Sequence, residues 1–203
     1  MTENDKQTES RILEAASEVF LEKGMDGARM QDIADRAGIN KSLLHYYYRT
    51  KDHLFNTVFE KTVNQMLMRF APVLDQDLTF EEKIRFFFHE HIDFLMNNRR
   101  LPSFLLNEIN RNPERMTKLM EKIEVHKLWD TLHAQHKKEL NAYNINREDF
   151  PQIMVSVAAL SLFPFAGFEI VSRILEKHGT GFDEFIEKRK DFATQFVIKA
   201  LKK

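Results

Sequence analysis

Residues 30–51 read MQDIADRAGINKSLLHYYYRTK, and this stretch decides the fold. Ile33 and Ala34 give its first part an apolar helical face. Ala37-Gly38-Ile39 forms a turn, in which Gly38 can take a positive φ without a Cβ penalty. Asn40 is a good N-cap for a second helix running from Lys41 to about Tyr48. Helix, short glycine turn, helix is the signature of a helix-turn-helix, whose second helix enters the major groove of DNA.

The chemistry of the second helix suits that task. Lys41, Ser42 and His45 share one exposed face, because residues one and four apart along a helix lie close together. Lys and Ser can hydrogen-bond base edges, and Leu43 can touch a thymine methyl. Tyr46 and Tyr47 can donate hydroxyl protons to phosphates while their rings pack on the protein. From Lys41 to His53 the charged residues are Lys41, Arg49 and Lys51 against Asp52, a local net charge of +2 with histidine neutral. The same pattern also fits a helical hairpin with one solvated face, and short matches of this kind are common. On the residues alone both readings stand.

The longer run DGARMQDIADRAGINKSLLHYYYRTKDHLF resembles the DNA-binding domain of the TetR family of transcriptional regulators. The residues that carry the likeness are Asp32-Ile33-Ala34, Ala37-Gly38-Ile39, Leu44, Tyr46-Tyr47-Tyr48, Lys51 and Leu54, and it extends over roughly residues 10–58. Ala28 departs from the pattern, because the family usually has a capping Thr or Ser there. Leu43 and His45 depart too, standing where Thr and Tyr are usual, so the base-reading set differs. The resemblance implies a homodimer that binds a palindromic double-stranded DNA operator and answers to a small effector. Base reading then falls to Lys41, Ser42, Leu43 and His45, and phosphate contacts to Arg29, Gln31, Tyr46, Tyr47 and Lys51.

Composition narrows the alternatives. The 203-residue chain carries a net charge of −1, so any attraction to DNA must come from a local patch. It has no cysteine, which excludes disulfides, thiol nucleophiles and cysteine-based zinc sites. No G-x-S-x-G, phosphate-cradling glycine loop or dinucleotide fingerprint occurs, which argues against an enzyme. His89 and His91 flank Glu90, and His133 and His136 lie three apart, but neither spacing is that of a metal site, and no metal or cofactor is expected. The first ten residues, MTENDKQTES, are too polar for a signal peptide. The longest apolar run, Ile153 to Phe168, includes Ser156, Ser161 and Pro164 and falls short of the ~18 apolar residues of a membrane span. A cytoplasmic protein without membrane contact is the expectation.

Apolar residues recur at three and four almost throughout, which predicts an all-α fold. A first helix runs from about Thr8 to Lys23, with Ile12, Ala15, Ala16, Val19 and Phe20 on one stripe and Gly24 at its end. A connecting helix follows Thr50 to about Phe70, and Pro72 marks a boundary. The domains are therefore expected at 1–50 (DNA binding), 51–71 (connecting helix) and 72–203 (effector binding and dimerisation). Thr79-Phe80-Glu81-Glu82 is a capping box. A short helix is expected over 103–110, and Asn112-Pro113-Glu114 opens one long helix to about Leu140. Asn146 is expected to cap the next helix, which Pro164 kinks or breaks. A last helix spans Phe182 to about Leu201.

Eighteen phenylalanines, against four tyrosines and one tryptophan, point to an aromatic core, and some can line an effector pocket. Phe88, His91, Phe104, Trp129, Phe163 and Phe165 are the pocket candidates, with the His91 and Trp129 rings available to orient a ligand. An aromatic lining predicts a hydrophobic or amphipathic effector, and the carbonyl freed by Pro164 is a natural place for a cavity. The last two helices carry more apolar surface than a small domain covers, so Ile153, Val157, Leu160, Phe185, Phe192 and Phe196 are candidates for a dimer interface. The chain reads as a ligand-responsive regulator that binds its operator as a dimer, in the role of a repressor. The alternative is an all-α ligand-binding or dimeric interaction module without operator binding.

Overall fold

A computed structural model describes residues 3–69 and 76–202, together with the side chains of these residues except at 123, 125, 126, 128 and 129. The described residues form twelve helices and no strand. They are α1 (Glu3–Gly27), α2 (Met30–Ala37), α3 (Lys41–Tyr47), α4 (Lys51–Met68), α5 (Phe80–Asn97), α6 (Leu101–Arg111), α7 (Pro113–Ile123), α8 (Val125–Gln135), α9 (Lys137–Ala142), α10 (Phe150–Ala166), α11 (Phe168–Lys177) and α12 (Phe182–Leu201). The expected boundary at Pro72 lies outside the described residues. The chain divides into two compact units, Met1–Gln65 and Met66–Lys203.

In the first unit the apolar stripe of α1 (Ile12, Ala15, Ala16, Val19, Phe20) is buried against Ile33, Ala34 and Ala37 of α2, with Leu44 of α3 also buried. Leu54, Phe55, Val58 and Phe59 of α4 complete this core, and the Phe20 and Phe55 rings meet edge to face at 4.9 Å. Each fully buried side chain of this size contributes roughly 1.5–3 kcal/mol over an exposed one. The regular helical backbone of α1 breaks at Gly24, φ 67°, where the sequence places its end. Gly38 has φ 65°, and its N–H closes α2 on the carbonyls of Ala34 and Asp35. A Cβ at Gly38 would also lie 3.0 Å from the Arg11 guanidinium, which donates to the Ala37 carbonyl. The positive φ is what requires glycine here, and the Arg11 side chain packs into the space its missing Cβ leaves.

In the second unit α5 packs along α12, and α10 packs against α5, α6 and α12. The Thr79 capping box forms as expected, and the Asn112 side chain caps α7 by accepting from the Arg115 N–H at 3.3 Å. Three expectations are corrected. The single helix from 113 to 140 is three helices, because Glu124 takes a left-handed conformation (φ 53°) and the chain leaves helical geometry again at His136. Neither residue is an intrinsic helix breaker. His136 is buried and bonds Glu139, whose other oxygen accepts the Phe80 N–H, so packing of α9 onto the start of α5 redirects the chain. Asn146 does not cap α10: the turn residues 147–149 intervene, and the Asp149 carboxylate accepts the Asn146 N–H at 3.0 Å. The short helix expected over 103–110 starts two residues earlier, with Pro102 inside its first turn, where a missing N–H is tolerated.

Pro164 lies inside α10 and does not end it; the chain turns by 79° at Gly167, into α11. The carbonyl that Pro164 cannot serve is that of Leu160. That carbonyl is served from outside the helix: Arg189 of α12 donates Nε–H to it at 2.8 Å. The Arg189 guanidinium also lies over the Phe185 ring, 5.5 Å from its centre. Arg189→Met preserves the apolar stem and leaves that carbonyl unserved. The expected loss is about 1–3 kcal/mol of unfolding free energy, measured by urea denaturation. An unchanged midpoint would show that the carbonyl finds another donor.

Candidate nucleic-acid interface

The helix α3 is positioned from three sides. Its first turn is capped by Asn40, whose Oδ1 accepts the Leu43 N–H at 2.7 Å. Leu44 is fully buried and points the opposite face outward. The C-terminal end is held by two tyrosine hydroxyls: Tyr48 donates to Glu9 at 3.1 Å and Tyr47 to Asp5 at 3.3 Å. Burial and the nearby carboxylates of Glu9 and Asp5 raise both phenols above the usual range, so they remain protonated donors.

Lys41, Ser42, His45 and Tyr46 stand exposed, and Leu43 is 37% exposed. Tyr46 is 79% exposed and stacks edge to face on Tyr47. Arg29 and Gln31, at the start of α2, are exposed as well, Gln31 donating to Asp35 at 2.7 Å. These side chains offer cations, hydroxyls and amides from α3 and the start of α2, the kinds of donor that bind phosphate oxygens and base edges. The first turn of α2 has no side-chain cap, as Ala28 implies; Ala28 itself is buried.

Two expected phosphate ligands are placed differently. The Lys51 ammonium is half-buried and donates to the Ala28 carbonyl at 3.0 Å and the Asp26 carbonyl at 3.4 Å. It ties the α1–α2 turn to the start of α4. The Tyr47 hydroxyl is engaged by Asp5. The sequence reading passed over Asp5, Glu9 and Arg11, because their partners lie 26 to 42 residues away and no local pattern pairs them. Arg36 is paired with Glu22 through two 2.9 Å bonds and adds no open positive charge.

The pocket candidates of the second unit separate into two environments. Phe88, His91, Phe104 and Phe165 are buried on α5, α6 and α10. His91 joins α5 to α10 through Ser161, with Nδ1 3.0 Å from Oγ. Ser161 turns its single proton to the Val157 or Ala158 carbonyl, so it accepts from the His91 Nδ1–H. Phe163 is 59% exposed and does not line an interior pocket. The side chain of Trp129 lies outside the described residues.

Of the interface candidates, Phe192 and Phe196 are 61% and 55% exposed, with stacked rings. Ile153, Leu160 and Phe185 are half-buried. Val157 is a core residue at 4% exposure and leaves the interface set. Val155, Phe163, Ile170 and Ile174, which the sequence reading assigned elsewhere or not at all, extend the exposed apolar surface over α10 and α11. Among the described residues, no single helix is long and apolar enough to cross a membrane.

Burial pushes the His91 imidazole down to about 4. The unfolded chain titrates near the ordinary value of about 6.5, so between these values it binds more protons than the folded chain. Stability is then complete above about pH 6.5 and falls as the pH drops toward 4, by an amount on the order of 3 kcal/mol. Denaturation midpoints across this range should show the slope in the wild type and lose most of it in His91→Gln. Equal slopes in the two proteins would assign the pH dependence to other groups.

Residues 12–58 match the family model for bacterial regulatory proteins of the tetR family. The chain is 31% identical over 85 residues to the transcriptional activator FasR of Mycolicibacterium smegmatis, a match covering 42% of this chain and 39% of that protein. The matches to three curated relatives span between 36% and 47% of their lengths. Among solved structures, a putative fatty acid metabolism regulator of Clostridium perfringens superposes with a TM-score of 0.71 at 21% identity, covering 93% of this chain and 97% of that one. FadR of Bacillus subtilis, solved in complex with stearoyl-CoA, gives a TM-score of 0.65 at 14% identity over 91% and 97% of the two chains. At these identities the structural likeness concerns the fold.

Proposed function

We propose that the chain is a transcriptional regulator of the TetR type, on the match of residues 12–58 to that family's model and the likeness to FasR, and that it binds a near-palindromic operator as a homodimer and is released from it by a small apolar or amphipathic effector. The observation that carries DNA binding is the capped helix α3, which turns Lys41, Ser42, Leu43, His45 and Tyr46 to solvent from a fully buried Leu44. Lys41, Ser42, Leu43 and His45 read bases. Tyr46, Arg29 and Gln31 contact phosphates, while Lys51 acts through the turn it holds together.

The effector reading rests on the buried aromatic residues of α5, α6 and α10 and on the relatives. Phe88, Phe104 and Phe165 offer apolar surface, with His91 the polar group among them. FadR of Bacillus subtilis carries stearoyl-CoA in the same fold. A long-chain acyl thioester is thus the effector class to test first. Such a ligand releases DNA only by binding the DNA-incompetent state more tightly, so the effect equals its differential affinity. Repression is the proposed sign of regulation.

The test is a gel shift on duplexes covering the DNA upstream of the protein's own coding region. The wild type should shift one of them, with affinity falling steeply as salt rises. Lys41→Ala should weaken the complex by about 1–3 kcal/mol and relax preference at one position per half-site. Palmitoyl- or stearoyl-CoA should dissociate the complex, whereas glucose and ATP should not. Operator affinity unaffected by Lys41→Ala would remove α3 from the base-reading role, and release by sugars or nucleotides alone would refute the apolar effector.

The dimer reading rests on Phe192 and Phe196, large apolar side chains left over half exposed on α12. A Glu at position 196 would place an unpaired charge in an apolar contact. Phe196→Glu is expected to elute as a monomer from size exclusion with light scattering, and to lose the operator shift. A dimeric, soluble Phe196→Glu protein would place the interface elsewhere.

A further inference from the structure

We infer that Asp5 competes with DNA phosphates for the hydroxyl proton of Tyr47 and so acts as an intramolecular brake on DNA binding. The inference rests on the DNA-binding reading of α3. Two consecutive tyrosines at the end of that helix reach two carboxylates one turn apart on α1: Tyr47 donates to Asp5 at 3.3 Å and Tyr48 to Glu9 at 3.1 Å. The two contacts are not equivalent. Tyr48 is 3% exposed, so its hydroxyl bonds Glu9 inside the unit and cannot meet DNA. Tyr47 is half-buried and its ring stacks on Tyr46, the most exposed aromatic of the helix. It therefore sits at the margin of the surface that would face DNA.

A phenol has one proton to donate. While Asp5 accepts it, a phosphate oxygen cannot. The contact at 3.3 Å is long for an O–H···O bond to an ionised acceptor, which ordinarily lies well under 3 Å. Tyr47 is only half-buried, so its hydroxyl can change partner without uncovering a buried group. Glu9 serves as an internal comparison: it has the same charge, lies on the same face and is one turn away, but its tyrosine is out of reach of DNA.

Phosphate contacts carry no sequence information, so a random-sequence duplex is a sufficient probe. Fluorescence anisotropy with a labelled random duplex at low salt would compare wild type, Asp5→Ala, Glu9→Gln, Tyr47→Phe and the double variant Asp5→Ala with Tyr47→Phe. Asp5→Ala is expected to bind about fivefold more tightly, the equivalent of one hydrogen bond. That gain should largely vanish in the Tyr47→Phe background, and Glu9→Gln should show a smaller one. Asp5→Asn, which keeps the side-chain shape, should shift affinity in the same direction, and thermal melts of all variants report folding. Equal or weaker binding by folded Asp5→Ala and Asp5→Asn would overturn the brake, as would the same gain in the Tyr47→Phe background or in Glu9→Gln. A wild type that binds no duplex, random or upstream of its gene, would remove the DNA-binding reading and the brake with it.

Discussion

The geometry of the first unit depends on the turn at Gly38. Its left-handed backbone ends α2, and the Arg11 guanidinium lies 3.0 Å from where a Cβ would be. Arg11 donates across to the Ala37 carbonyl, one of those left unserved when a helix stops. The same guanidinium thus fills the space above the glycine and satisfies the helix end below it. With the turn held, Asn40 caps α3 and Leu44 is driven into the core, which settles the face that α3 shows to solvent.

A comparable arrangement organises the second unit. Pro164 removes a donor from the last turn of α10, and Arg189 of α12 supplies one from outside at 2.8 Å. A few residues away Lys190 is almost fully buried, with its ammonium 2.7 Å from Asp93 of α5 and from Glu187 of its own helix. Burying a cation is tolerated only because both charges are paired. His91 to Ser161 adds a third polar tie, from α5 to α10. Apolar burial supplies most of the stability of this bundle, and these three contacts set how its helices are aligned.

Charge in the first unit is distributed by pairing more than by count. Arg36 and Lys23 are matched with Glu22 and Asp32, and Lys51 is turned onto backbone carbonyls. Lys41 and Arg29 remain exposed, at the starts of α3 and α2. A chain of net charge −1 can in this way present a positive, donor-rich surface without a strong overall field.

Much of the secondary structure was legible in the sequence, because its signals are local. Gly24, Gly38 and Gly179 stand at helix ends with φ between 65° and 67°, and the Thr79 and Asn112 caps bond as their spacing implies. The breaks at Glu124 and His136 were not legible, since neither residue stops a helix intrinsically and the bonds to Glu139 and Phe80 come from packing. Exposure was the other quantity beyond reach. In α10, an apolar helix almost all round, periodicity cannot say that Val157 turns inward and Phe163 outward. Nor could residue type reveal that Lys51 holds a turn or that Asp5 accepts from Tyr47. The sequence by itself determined most of the helices and the residue types that α3 carries, because backbone preference and capping act over three or four residues. Tertiary structure alone decided which of those side chains are engaged by the protein and which stand open, because their partners lie tens of residues away.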